Sequence, residues 1–236
     1  MSLNWKLGDP NQNSYVNATY ADEYFLNKPD VTEWDNLTSK TDKEAVLIQA
    51  ARDMEFNYID DVYYDSQGLA FPRDSHEVVT GNCATPITKN SFRHTSLKSD
   101  TYGVYPDNYW KFGTVHITSG TPLNDIRIIR ASDSVTGSIT TDEFSATPTI
   151  NTNFIIFAPI DRLIRDAQCE QALFILKNKG IDNLMGYKTL GVQQYSIGDV
   201  RVTFKQMGSL TKYPFSPKAK KMLGRWMTRR RVVLRA

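Results

Sequence analysis

The sequence predicts an α+β protein: mainly a helical bundle core with a β-hairpin, interrupted by an inserted β-rich subdomain and closed by an extended basic C-terminal arm. Three observations lead there. Apolar residues recur at helical spacing between Thr19 and Asn57, and again after Pro159. Between these stretches, from about Pro72 to Ala158, the chain becomes rich in Thr, Ser, Asn and Gly with short β-leaning runs. The last 37 residues hold eleven Lys and Arg and no Asp or Glu, while the rest carries 17 basic and 26 acidic residues. The expected boundaries are a helical core over 1–73 and 159–215 with a hairpin near 192–204, an insert over 74–158, and a basic helix and arm over 216–236.

Taken in order, Ala21, Tyr24 and Phe25 fall on one helical face, and Pro29 ends that helix. Trp34 and Leu37 make a second short stripe, and Asp22-Glu23 sits where a helical first turn favours acidic residues. Thr41 stands three residues before Glu44, a capping-box spacing, ahead of Val46, Leu47, Ala50, Ala51, Met54 and Phe56. In the insert, 114–118, 126–129 and 154–157 are strand candidates, punctuated by Gly113, Ser119-Gly120, Thr121-Pro122 and Thr136-Gly137. Its many aromatic residues argue against disorder.

Pro159-Ile160-Asp161 opens the next helix, with Ile160, Leu163, Ile164, Ala167, Ala172, Ile175 and Leu176 on its apolar face and Gly180 as C-cap. Val192, Tyr195 and Ile197, then Gly198-Asp199, then Val200, Val202 and Phe204 spell a hairpin. Beyond Pro214, Ala219, Met222, Leu223 and Trp226 form the stripe of a short basic amphipathic helix, and 229–235 trails as a basic arm.

Composition narrows the function classes. The longest apolar run is about six residues, against about 20 for a membrane span. No apolar secretory leader is visible, and two cysteines, Cys83 and Cys169, make no disulfide framework, so intracellular folding with reduced thiols is expected. The three histidines, His76, His94 and His116, lack metal-ligand spacing, and neither a P-loop nor GxGxxG occurs. Asp60-Asp61 and Asp65 read as a solvated loop, and Ser14 and Ser91 lack activating partners. The expectation is a protein without cofactor or metal that is not an enzyme. The charge asymmetry marks an interaction tail, with docking on a protein favoured over nucleic acid.

A series of landmarks also suggests a relationship. Tyr15-Val16-Asn17 leads to 21–25 (ADEYF), Trp34, 42–45 (DKEA) and 47–52 (LIQAAR), then 67–73 (QGLAFPR). After the insert come Pro159-Ile160, 166–173 (DAQCEQAL), Gly191-Val192, 197–200 (IGDV), Leu210 and 216–219 (SPKA). This order resembles the head-tail connector proteins of tailed bacteriophages, also called adaptors or head-completion proteins. Some relatives carry the label "DnaT-like single-stranded DNA-binding protein". The resemblance covers 15–73 and 159–226, and the insert over 74–158 departs from it.

The resemblance implies a compact helical bundle that assembles as a twelve-subunit ring in the virion neck. That ring joins the portal protein to a stopper or tail-terminator protein, and packaged DNA passes through its channel without specific binding. Lys218, Lys220, Lys221, Arg225, Trp226, Arg229, Arg230 and Arg231 are then the expected portal-contacting residues, and the insert faces outward toward other neck or capsid proteins. Two other readings stand beside it. One is a single-stranded DNA-binding replication accessory. The other is a carbohydrate- or host-binding module built on Tyr102, Tyr105, Tyr109 and Trp110.

Overall fold

The computed structural model describes residues 2–55, 61–99, 105–178, 194–197, 200–203 and 215–227. Three helices come first: α1 (Ala18–Phe25), α2 (Thr32–Asp35) and α3 (Lys40–Asp53). Seven strands follow: β1 (Val78–Asn82), β2 (Ala84–Thr88), β3 (Ser91–Arg93), β4 (Thr114–Ser119), β5 (Ile126–Asp133), β6 (Ser138–Thr141) and β7 (Asn153–Phe157). Helix α4 (Arg162–Lys177), a hairpin of β8 (Gln194–Ile197) and β9 (Val200–Thr203), and helix α5 (Pro217–Leu223) complete the chain.

The seven strands form one antiparallel sheet in the order β1-β7-β4-β5-β6-β3-β2. Its curl follows from two features. β5 pairs with β4 through Ile126–Ile128 and with β6 through Ile129–Asp133, and its register shifts between Ile129 and Ala131. The extra residue, Arg130, bends the strand where one half of the sheet becomes the other. The chain also passes from β1, at one edge, to β2, at the opposite edge, through Cys83 alone. The two edges must therefore lie close together, so the sheet is a half-barrel. Gly81 marks the closure, because a Cβ there would stand 2.4 Å from the His94 ring that follows β3.

Alternation fills the interior. Phe92, Ile129, Ile139, Val115, Ile117, Phe154 and Ile156 turn inward with Trp110 and Phe144. The other face of β7 carries Ile155 and Phe157 into a second cluster with Leu7, Tyr15, Ile160 and Ile164. One strand thus joins the barrel to the helical layer. In that layer α1, α2 and α3 pack with α4 around Trp34, Phe25, Leu47, Ala172 and Leu176.

The helical bundle core expected from sequence is corrected to this curled sheet accompanied by a few short helices. The physical reason is helical surface. α2 has four residues, α5 seven and α1 eight, so only α3 and α4 run beyond about two turns. Phe92, Phe154, Trp110, Ile117 and Ile129 of the barrel are all below 3% exposed.

Local signals also differ from expectation. Asn17 caps α1 by accepting from Tyr20 N at 2.8 Å. The Thr41–Glu44 capping box does not form; α3 starts at Lys40 after Ser39, and Glu44 pairs with Lys40 instead. Asp22 is no first-turn acid but a tie, bound to Trp34 Nε1 (2.9 Å) and Lys43 Nζ (2.7 Å). Asp161 caps α4 by accepting from Leu163 N, while Leu163 itself points outward at 39% exposure. α4 ends at Lys177 with Asn178 as cap. Gly180, Phe56, Asp60, Val192, Gly198-Asp199 and Phe204 lie outside the described residues.

Candidate nucleic-acid groove

Helix α4 positions the site, and buried polar bonds position α4. Gln168 accepts from Tyr15 N and donates to Ser14 Oγ and Leu47 O, each at 2.8 Å. Gln171 donates to Asp53 Oδ2 at 3.0 Å and accepts from Ser216 N at 2.8 Å, which seats the start of α5. Tyr20 OH donates to Asp166 at 2.6 Å and Tyr24 OH to Glu170 at 2.7 Å, and Lys28 pairs with Glu170. Burial, helped for Tyr20 by the Asp166 carboxylate, holds both phenols well above their ordinary pKa. Burial also lowers Lys28, with nearby Lys218 adding to the effect.

Where the first turns of α4 meet the end of α5, the segment 71–77 and the 105–113 loop, a groove of about 410 Å³ opens. Four arginines reach it: Arg73, Arg162, Arg165 and Arg225. Glu77 and Asp161 are its carboxylates. Arg225 pairs with Asp161 and lies 3.9 Å from the centre of the half-buried Trp226 ring. Phe71 meets Trp226 edge-on, with centroids 6.3 Å apart, and Arg73 sits 5.8 Å from the Phe71 ring. Arg165 stands 4.8 Å over Tyr20. Arg162, exposed, reaches Asp166 at 3.4 Å.

The remaining wall is neutral. His76 Nε2–H donates to Ala158 O at 2.8 Å, and burial holds the imidazole below its usual pKa. Tyr109 OH donates to Glu77, and burial, then that carboxylate, raise the phenol. The groove therefore offers an excess of guanidinium over carboxylate beside aromatic rings. That combination takes phosphate on the cations and stacked bases on the rings.

The sequence-predicted residues divide. Lys218, Lys220 and Lys221 are exposed on α5, whose Ala219 and Leu223 are buried against the core. Arg225 and Trp226 are brought into the groove. Arg229, Arg230 and Arg231 lie outside the described residues, as does Tyr102. Tyr105, Tyr109 and Trp110 meet one another at tilted and edge-on angles, about 5 Å apart, and pack on the barrel interior. Sequence reasoning missed Arg73, Arg162, Arg165 and His76 as groove residues, and named Tyr109 only for a carbohydrate- or host-binding module. The run Phe71-Pro72-Arg73 was the available signal.

Other titratable groups are structural. His116, 6% exposed, hydrogen-bonds Leu7 O through Nε2 at 2.7 Å, and burial pushes it down to about 4. Cys83 and Cys169 are buried free thiols, and burial pushes Cys83 up to about 12. Glu55 accepts from Tyr15 OH (2.8 Å) and Ala70 N (3.0 Å), and burial raises its pKa. Among the described residues no helix is long and apolar enough to cross a membrane.

No curated protein and no solved structure matches the chain. Residues 6–88, a segment that includes Phe71, Arg73, His76 and Glu77 of the groove, match a family model described as "Putative DnaT-like ssDNA binding protein". This match overturns the head-tail connector resemblance, and with it the twelve-subunit virion ring, the portal and stopper partners and the passage of DNA without specific binding. It supports the single-stranded DNA-binding reading over the virion reading.

Proposed function

We propose that the protein is a single-stranded DNA-binding replication accessory that acts by binding rather than catalysis. The observation that carries this reading is the groove in which Arg73, Arg162, Arg165 and Arg225 surround Trp226 and Tyr109. The match of residues 6–88 to a single-stranded DNA-binding model supports it. A single strand exposes both phosphates and ring faces, and a duplex hides the latter, so the groove discriminates by stacking. Arg225 is held between Asp161 and Trp226. An incoming phosphate replaces the Asp161 carboxylate, and a base replaces or extends the guanidinium–indole stack. The exposed Lys218, Lys220 and Lys221 add diffuse attraction along α5.

The test is titration with an oligothymidylate, read by tryptophan fluorescence at several salt concentrations. Trp34 and Trp110 are each 1% exposed, and the half-buried Trp5 lies beside Phe112 and is not a groove residue, so Trp226 is the expected reporter. Quenching should disappear in Trp226→Phe, and each arginine changed to Gln should lower the salt slope by about 0.7. Binding that ignores salt, or that is equal in wild type, Trp226→Phe and Arg225→Gln, would sink the reading.

A further inference from the structure

A second cavity, of about 280 Å³, opens at the rim of the half-barrel, away from the groove residues. The start of β2 (Ala84, Thr85), the end of β3 (Arg93), the turn through His94 to Lys98 and the β5–β6 turn (Val135, Thr136) line it.

One donor here, Arg93 Nε, is buried without a hydrogen-bond partner. Among the described residues neither Arg93 nor Lys98 makes an ion pair. The neighbouring carboxylate, Asp133, is turned back on its own loop, where it accepts from Val135 N (2.9 Å), Thr136 N (2.8 Å) and the Thr136 hydroxyl. His94 is occupied as well: its Nδ1 accepts from Ser96 N at 3.3 Å, and its ring lies over Gly81. The pocket's polar character is thus donors and positive charge.

Buried donors normally find acceptors. One that shares its cavity with a second cation, Lys98, matches the pattern that takes an oxyanion by charge-assisted hydrogen bonds. The volume falls below the roughly 300–1,000 Å³ range of drug-sized ligands, which favours a small anion or a single phosphate of a larger molecule. The local backbone is also fixed. Gly137 has φ +68°, and a Cβ there would stand 2.3 Å from His94 O, so the β5–β6 turn is pressed onto the turn through His94 to Lys98.

We propose that this rim pocket binds a phosphate-type oxyanion, with Arg93 and Lys98 supplying charge and the unpartnered Arg93 Nε–H a hydrogen bond. Free phosphate and the phosphodiester of a bound strand share this chemistry. The pocket does not depend on the groove's binding DNA.

The experiment uses the full chain, wild type and the variants Arg93→Gln and Lys98→Gln, with inorganic phosphate followed by calorimetry and an oligothymidylate followed across a salt series. Lys98 is exposed, so its variant tests the pocket even where Arg93→Gln perturbs folding. Phosphate affinity should fall at least about tenfold in each variant. A salt slope that also falls by about 0.7 assigns the pocket to the strand's backbone, and this holds even where inorganic phosphate alone binds too weakly to read. An unchanged slope with weakened phosphate binding assigns it to a free phosphate. Wild type and both variants behaving alike toward both probes would overturn the proposal.

Discussion

Inside the half-barrel, Phe92, Ile129, Ile139, Phe154 and Ile156 are all apolar and 0–1% exposed. The most buried helix is built differently: α4 carries Asp166, Gln168, Glu170 and Gln171 into its packed face, and each has a named partner. Apolar contact is non-directional, so the barrel interior specifies volume. Hydrogen bonds have direction, so α4 is fixed in rotation and register against residues 14–15, α3 and α5. The helix that presents Arg162 and Arg165 to the groove is the one held by directional bonds, while the barrel supplies bulk stability.

The largest test of this contrast is Phe154→Ala. The ring is 1% exposed between Phe92 and the other interior residues, and its loss should cost about 3–5 kcal/mol in a urea unfolding experiment, with little change in oligonucleotide affinity while the protein stays folded.

His116 tests the seam between the two regions. Its folded pKa of about 4 lies below the ordinary 6.5, so the unfolded chain takes up a proton that the native state refuses. The stability it contributes is whole above pH 6.5 and is lost as pH falls from 6.5 to about 4, for a total of about 3 kcal/mol. The urea midpoint measured at pH 7 and pH 5 should drop in wild type and drop less in His116→Gln. Parallel losses in the two proteins would remove His116 from the account.

The smallest expected effect is Gln168→Leu, which keeps volume but leaves the Tyr15 N–H without its acceptor. A cost of about 2 kcal/mol is expected. Unlike Phe154→Ala, this variant should weaken oligonucleotide binding while folded, because α4 loses its register. Equal binding by the two variants would erase the distinction between bulk and direction.

Much of the helical layer was legible, because α1 and α4 announce themselves by period, and α4 also by its start signal at Asp161. Strands β4, β5 and β7 were legible as β-branched or aromatic runs. β1, β2, β3 and β6 were not. β3 has three residues, β2 contains Thr85-Pro86 and forms a sheet edge, and β1 carries Gly81, so propensity is weak in each. Short strands of this kind exist through pairing, which no local window contains. The groove was hidden for the same reason. Arg73, Tyr109, Arg165 and Arg225 are far apart in sequence and meet because β7 buries both of its faces. The basic character of the C-terminal segment was plain, but only Arg225 and Trp226 of the described tail residues face the groove.

The single-residue step at Cys83 between the sheet's two outer strands has a consequence for how the chain is divided. The segment that matches the family model, residues 6–88, contains both outer strands and neither of their neighbours: β1 needs β7 at 153–157, and β2 needs β3 at 91–93. Cut out at residue 88, it would have two unpaired edges and no staves between them. The matched stretch is therefore not an autonomous folding unit: β2 finds its partner within a few residues, but β1 can pair only after the polypeptide to residue 157 has been made.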